Sequence, residues 1–140
     1  MGPRQVLTLL QDADMNVQRL STVLIVEDET MVRLPIAEYL RDCGYHVLEA
    51  ADASEAMAVV DSDKVDVVFS DVRMPGQIDG FGLARWLQQN HPRVPVLLTS
   101  GWTGATQKGN DAPRGVRVIE KPYSQAQVAD RLEGLLRAPD

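Results

Sequence analysis

Four short stretches carry side chains that could do chemistry together. Glu27-Asp28-Glu29 puts three carboxylates in a row directly after an apolar run. Asp71 follows a second run, Thr99-Ser100 closes a third, and Glu120-Lys121-Pro122 closes a fourth. If those runs are neighbouring strands, their ends meet at one edge of a sheet. Acids gathered there without a cation repel each other and desolvate badly. A hard divalent ion with oxygen ligands and retained waters, such as Mg2+, resolves that conflict. Adding a hydroxyl and an ammonium makes a constellation suited to phosphoryl transfer, where positioning and charge neutralisation do most of the work. A mononucleotide site fits worse, because the first run leads into Glu-Asp-Glu and not into a Gly-rich phosphate loop.

The elements that must position these residues can be read from the hydrophobic pattern. Residues 22–26, 65–70 and 95–100 are continuous apolar runs, as in strands buried on both faces of a parallel sheet. Residues 46–50 and 116–120 are weaker strands, and Pro95 sits where a strand start tolerates a missing N–H. Between them lie helical patterns. Residues 31–43 carry Met31, Leu34, Tyr39 and Leu40 near helical spacing, with Thr30 as N-cap and Gly44 as stop. Pro35 predicts that this helix starts late or kinks. Residues 54–62 form a short Ala-rich helix. Residues 81–91 follow an Asp79-Gly80 start and turn Phe81, Ala84, Leu87 and Trp86 inward. Residues 124–137 place Val128, Leu132, Leu135 and Leu136 on one stripe. Strands alternating with helices predict an α/β fold, a doubly wound five-stranded parallel sheet covered on both faces, with its ligand beyond the carboxyl ends of the strands. Gly101, Gly104, Gly109, Gly115 and Pro113 interrupt the pattern, so the fourth helix is expected to be short or irregular. Val6, Leu10, Ala13, Val17 and Leu20 form a narrow stripe, an N-terminal arm or a short helix over residues 1–20.

Composition bounds the function. A chain of 140 residues with 44% hydrophobic and 24% charged residues is one globular domain. Its net charge of −6 argues against nucleic acid as a partner. Cys43 is the sole cysteine, read as a small buried residue with no disulfide partner in the chain. No apolar run is long enough to span a membrane, and Val6–Leu10 is too short for a signal-peptide core, so the expected compartment is the cytoplasm. His46 and His91 are isolated and suggest no metal site.

Val26-Glu27-Asp28-Glu29, Ser70-Asp71-Val72-Arg73-Met74-Pro75-Gly76 and Glu120-Lys121-Pro122-Tyr123 each close a predicted strand. In that order they resemble the receiver domain of bacterial two-component response regulators. The resemblance covers about residues 22–137, within an expected domain at 21–138. It implies a flavodoxin-like sheet of strand order 2-1-3-4-5. It also implies that Asp71 takes a phosphoryl group from a sensor histidine kinase or a histidine phosphotransfer protein. Mg2+ would be held by Glu27 (through water), Asp28, Asp71 and the backbone carbonyl of Arg73. Lys121 would pair with the phosphoryl oxygens, ahead of a cis-type turn at Pro122. Ser100, counted from the strand-opening Pro95, is the chosen switching hydroxyl, with Thr99 on the other face. Phosphorylation should draw Ser100 toward Asp71 and reorganise residues 101–115. The implied molecule is no enzyme beyond its own phosphorylation and dephosphorylation. It signals to a protein partner or relays phosphate, as a monomer or weak homodimer. With 18 residues after Pro122, no DNA-binding output domain is expected.

Four features depart from the family pattern. Glu27 stands where an aspartate is common, and the loop over residues 74–80 is one residue longer than usual. Val118 occupies the place of an aromatic residue three before Lys121. The Gly-rich stretch before the fifth strand puts the usual output face in question. Plainer readings stand beside the chemical ones. Asp71 alone would be a strand-end cap, and its alignment with Glu27, Asp28 and Lys121 outweighs that. Glu29 reads as a solvated helix-start residue, and Arg73 as a surface charge or a tuner of phosphate lifetime. Trp102 packs a loop or covers the phosphate. Lys64, Lys108 and the remaining arginines read as solvated surface. Two other functions compete: a receiver-like scaffold that signals without phosphorylation, and a receiver excised from a hybrid kinase. An aspartyl-phosphate hydrolase of the haloacid-dehalogenase type needs a second Asp where Arg73 stands.

Overall fold

The apolar runs fold as strands and the amphipathic stretches as helices, alternating from β1 to β4. The computed structural model describes residues 21–101 and 112–137. In chain order these form β1 (Thr22–Val26), α1 (Thr30–Asp42), β2 (His46–Ala50), α2 (Ala53–Ser62), β3 (Val67–Asp71), α3 (Gly80–Asn90), β4 (Val96–Ser100), β5 (Arg117–Glu120) and α4 (Gln125–Arg137). All strand pairs are parallel, in the order β2-β1-β3-β4-β5. This is the doubly wound sheet the pattern predicts. The expected fourth helix, Trp102 and the N-terminal arm lie outside the described residues.

Because side chains alternate along a strand, one run feeds two cores. Leu24, Val26, Val68 and Leu98 pack on one face with Ala56 and Val60 of α2 and Leu83, Ala84 and Leu87 of α3. Val23, Ile25, Val67, Phe69 and Leu97 pack on the other with Ile36, Ala37 and Leu40 of α1 and Val128 and Leu132 of α4. Every residue of β1, β3 and β4 is buried. Each large aliphatic side chain so placed contributes about 1.5–3 kcal/mol of transfer free energy.

Local signals set the helix starts. Asp52 caps α2 by accepting from the Glu55 amide at 2.8 Å, while Glu55 accepts from the Ala51 amide at 3.2 Å. Asp79 caps α3 by accepting from the Gly82 amide at 2.9 Å. Gly44, at φ +105°, lets α1 end in a left-handed turn, with the Tyr45 amide bonded to the Leu40 carbonyl at 3.1 Å.

Helix α1 departs from the sequence reading in three ways. Its N-cap is Glu29, without a side-chain capping bond, and Thr30 is already helical. It starts on time despite Pro35, which lies inside it. Its buried stripe is Ile36, Ala37 and Leu40, whereas Met31 and Leu34 are exposed (85% and 40%). Met31 is about two and a half turns from Leu40 and therefore faces the opposite way. β3 begins at Val67, two residues later than its apolar run, and Cys43 is half-buried, not buried.

Candidate functional site

The parallel register brings the chemical residues to one edge. Val26 pairs with Ser70, Asp71 with Thr99 and Ser100 with Glu120, so β1, β3, β4 and β5 end together. Beyond those ends opens a cavity of about 570 Å³, lined among others by Asp28, Glu29, Asp71, Arg73, Ser100 and Lys121. Residues that the sequence scatters over more than ninety positions share one wall.

Asp71 is held from both sides. Its Oδ2 accepts from the Lys121 ammonium at 3.1 Å, and its Oδ1 accepts from the Arg73 amide at 3.2 Å. The main chain around it is fixed too. Ser70 Oγ donates to the Asp71 carbonyl at 2.9 Å, and the Val72 amide donates to the Thr99 carbonyl at 3.0 Å. Lys121 reaches across because its own amide extends the β4–β5 ladder, donating to the Ser100 carbonyl at 2.9 Å. The Lys121–Pro122 peptide is cis. Gly80 closes the loop from behind, where a Cβ would run into the Asp71 carbonyl and come within 2.7 Å of Val72 Cα.

The electrostatics follow from this crowding. Glu27 is buried at the end of β1 and does not line the cavity. Burial first, then the bond to and the charge of Asp71, push its carboxyl pKa up to about 7. Burial works against the Lys121 ammonium, but the bond to Asp71 and its charge outweigh that and hold the pKa above its usual value. Two carboxyl groups so close that one stays protonated near neutrality are the donor set a divalent cation relieves. Among the described residues no three His, Cys, Asp or Glu side chains gather tightly enough to enclose an ion. An open site completed by a main-chain carbonyl and water, the habit of Mg2+, fits such a donor set.

The structure brings together Asp28, Asp71, Arg73, Ser100 and Lys121 at the cavity, with buried Glu27 beside Asp71. Ser100 and Thr99 take opposite faces of β4. Ser100 lines the cavity, and Thr99 lies toward the half-buried Tyr123 phenol. Glu29, expected as a solvated residue, is exposed and also lines the cavity. Sequence pattern alone places Arg33 with the solvated surface. Its guanidinium instead donates to the Glu27 carbonyl at 2.6 Å and to Glu49 Oε1 at 2.9 Å. The signal available in the sequence was its place one turn beyond the acidic stretch.

Comparison with known proteins decides the family. The response regulator receiver domain family matches residues 23–133. The chain belongs to that family. This receiver domain is 36% identical over 123 residues to the sensor kinase CckA of Brucella abortus, covering 86% of the chain but 13% of the kinase. It is 26% identical over 117 residues to the response regulator receiver protein CpdR of the same organism, covering 83% of the chain and 97% of CpdR. A receiver protein from Sinorhizobium medicae has the same fold, with a TM-score of 0.77, 26% identity and coverage of 84% and 95% of the two chains. The receiver domain spans 13%, 24% and 58% of the length of the first three curated relatives. Receiver domains are phosphoacceptor signalling modules that interact with histidine kinases and generally use Mg2+ for phosphorylation. Among the described residues no helix is long and apolar enough to cross a membrane.

Proposed function

We propose that Asp71 is the phosphoacceptor of this receiver domain, within a domain spanning residues 21–138. The observation that carries this is the Asp71 carboxylate bonded to Lys121 at 3.1 Å, beside buried Glu27 and lining the cavity. An Asp71 oxygen attacks the phosphorus of a phosphohistidine. The N–P bond breaks, the imidazole leaves with the electron pair, and Asp71 carries an acyl phosphate. Lys121 stays with the oxygens that gain charge, and the Arg73 amide faces the same carboxylate. Asp28, Asp71 and the Arg73 carbonyl would hold Mg2+, with Glu27 contributing through water. The ion, when bound, would supply charge neutralisation for the transferring group. Ser100, on the cavity wall, is the hydroxyl that moves toward the phosphoryl group. The only chemistry in this reading is phosphorylation and dephosphorylation of the chain itself.

Partners follow from the same reading: a sensor histidine kinase or histidine phosphotransfer protein upstream, and a protein target downstream. The setting is the cytoplasm, with the domain monomeric or weakly dimeric. The likeness to the sensor kinase CckA favours a second setting, in which the domain serves a hybrid kinase. The test is intact mass after incubation with Mg2+ and a small phosphodonor. One phosphoryl group is expected on the wild type and none on Asp71→Asn or with chelator. An unmodified wild type that also fails to bind beryllofluoride returns the molecule to a phosphorylation-independent scaffold.

A further inference from the structure

We propose that Arg33 is a positioning residue for the acidic turn Glu27–Glu29, locked in place by Glu49 and Arg41. The inference rests on the phosphoacceptor reading, because that turn matters as the source of the metal-binding carboxylates. Arg33 holds the turn at both ends. Its Nη1 donates to the Glu27 carbonyl at 2.6 Å, and its own amide donates to the Glu29 carbonyl at 2.9 Å. The Glu27 carbonyl lies in the same rigid peptide plane as the Asp28 nitrogen. Fixing that carbonyl therefore fixes the plane from which Asp28 projects toward the cavity. The Glu27 amide is tied separately, to the Ala50 carbonyl at 3.0 Å.

The guanidinium is not free to swing. Its Nε donates to Glu49 Oε1 at 2.9 Å, and the two side chains are 17% and 24% exposed. Glu49 is pinned in turn by Arg41, whose Nη2 reaches Glu49 Oε2 at 3.2 Å and the Val47 carbonyl at 3.0 Å. Burial opposes the Glu49 charge, but the two guanidiniums outweigh it and hold the carboxyl below its usual pKa. Glu49 thus stays anionic wherever the protein is folded near neutrality. A planar fork bonded in two directions fixes orientation, which a lysine ammonium cannot reproduce. Supports of this kind behind metal ligands typically change metal affinity by about 10–100-fold.

Titration calorimetry of the whole chain with Mg2+ tests this, beside thermal melting in chelator. Arg33→Ala and Arg33→Lys should both bind Mg2+ about tenfold or more weakly, and Glu49→Gln should show a smaller loss. Arg93→Ala, which removes an exposed cation in the loop before β4, should bind as the wild type does. Wild-type affinity in Arg33→Lys would show that charge alone suffices and would overturn the positioning role. So would an equal loss in Val60→Ala, which weakens the core away from the turn. If Arg33→Ala does not fold, Arg33→Lys and Glu49→Gln decide. A wild type that binds no Mg2+ overturns the phosphoacceptor reading itself, and this inference with it.

Discussion

Glu27 shows how burial and a neighbour turn an ordinary side chain into a pH-sensitive one. Its carboxyl is pushed from 4.5 to about 7, first by burial and then by Asp71. Folded protein therefore holds a proton there between those values that the unfolded chain has released. Stability of the metal-free domain should fall as pH rises from about 4.5 to about 7 through this group, and level off above. Denaturation midpoints in chelator across pH 5–8 check this, and Glu27→Gln should flatten that part of the slope. Mg2+ should reverse the trend, because ligating carboxylates must be ionised. The identities of Glu27, Asp28, Asp71, Ser100 and Lys121 as candidates were legible from residue type and from position at the ends of apolar runs. That Glu27 is buried beside Asp71 while Asp28 and Glu29 line the cavity was not. Those placements depend on the exit angle of the chain from β1, which no local pattern encodes.

Among the elements, two glycines should respond oppositely to the same substitution. Gly80 opens α3 directly against the β3 exit, and a Cβ there collides with backbone atoms of Asp71 and Val72. Backbone cannot give way as a flexible side chain can. Gly80→Ala should cost about 1–3 kcal/mol and slow phosphorylation by displacing Asp71. Gly134 lies within α4, with nothing near its absent Cβ. Gly134→Ala should stabilise by about 0.5–1 kcal/mol, since alanine loses less backbone freedom on entering a helix. Urea denaturation of the two variants gives both values, and a stabilised Gly80→Ala would contradict the packing described. The same scale explains why α1 turns a different face inward from the one its spacing predicts. Apolar residues of α1 occur on more than one face, so periodicity did not fix its phase. Packing of Ile36, Ala37 and Leu40 against β1 and β2 chose it, leaving Met31 exposed.

For the whole molecule, the sheet makes stability and site one property. The strands whose ends gather the acids are those with every residue buried, β1 and β3, with β4 beside them. An ion that binds the folded site alone shifts the folding equilibrium. Mg2+ at a hundred times its Kd should add about 2.7 kcal/mol to unfolding free energy. Chelator should remove that increment, and Asp71→Ala should lose most of it. Melting temperature against Mg2+ concentration is the direct measurement. A flat dependence would mean that the carboxylates do not form an ion site in the native state.

The strand–helix alternation was written in local hydrophobic period, and so was the ordering of the chemical residues along it. Continuous apolar runs ask for strands buried on both faces, and their alternation with helical stretches points to a parallel sheet. The pairings across the fold were decided by tertiary structure alone. Lys121 meets Asp71 across 50 positions and Arg33 meets Glu49 across 16. The charges on these residues are visible in a sequence, but their distances are not. A charged side chain on a helix is equally stable in water or on a carbonyl until packing fixes which way the helix turns. Arg33 therefore read as surface, and only the docking of α1 on the sheet aimed it at the acidic turn.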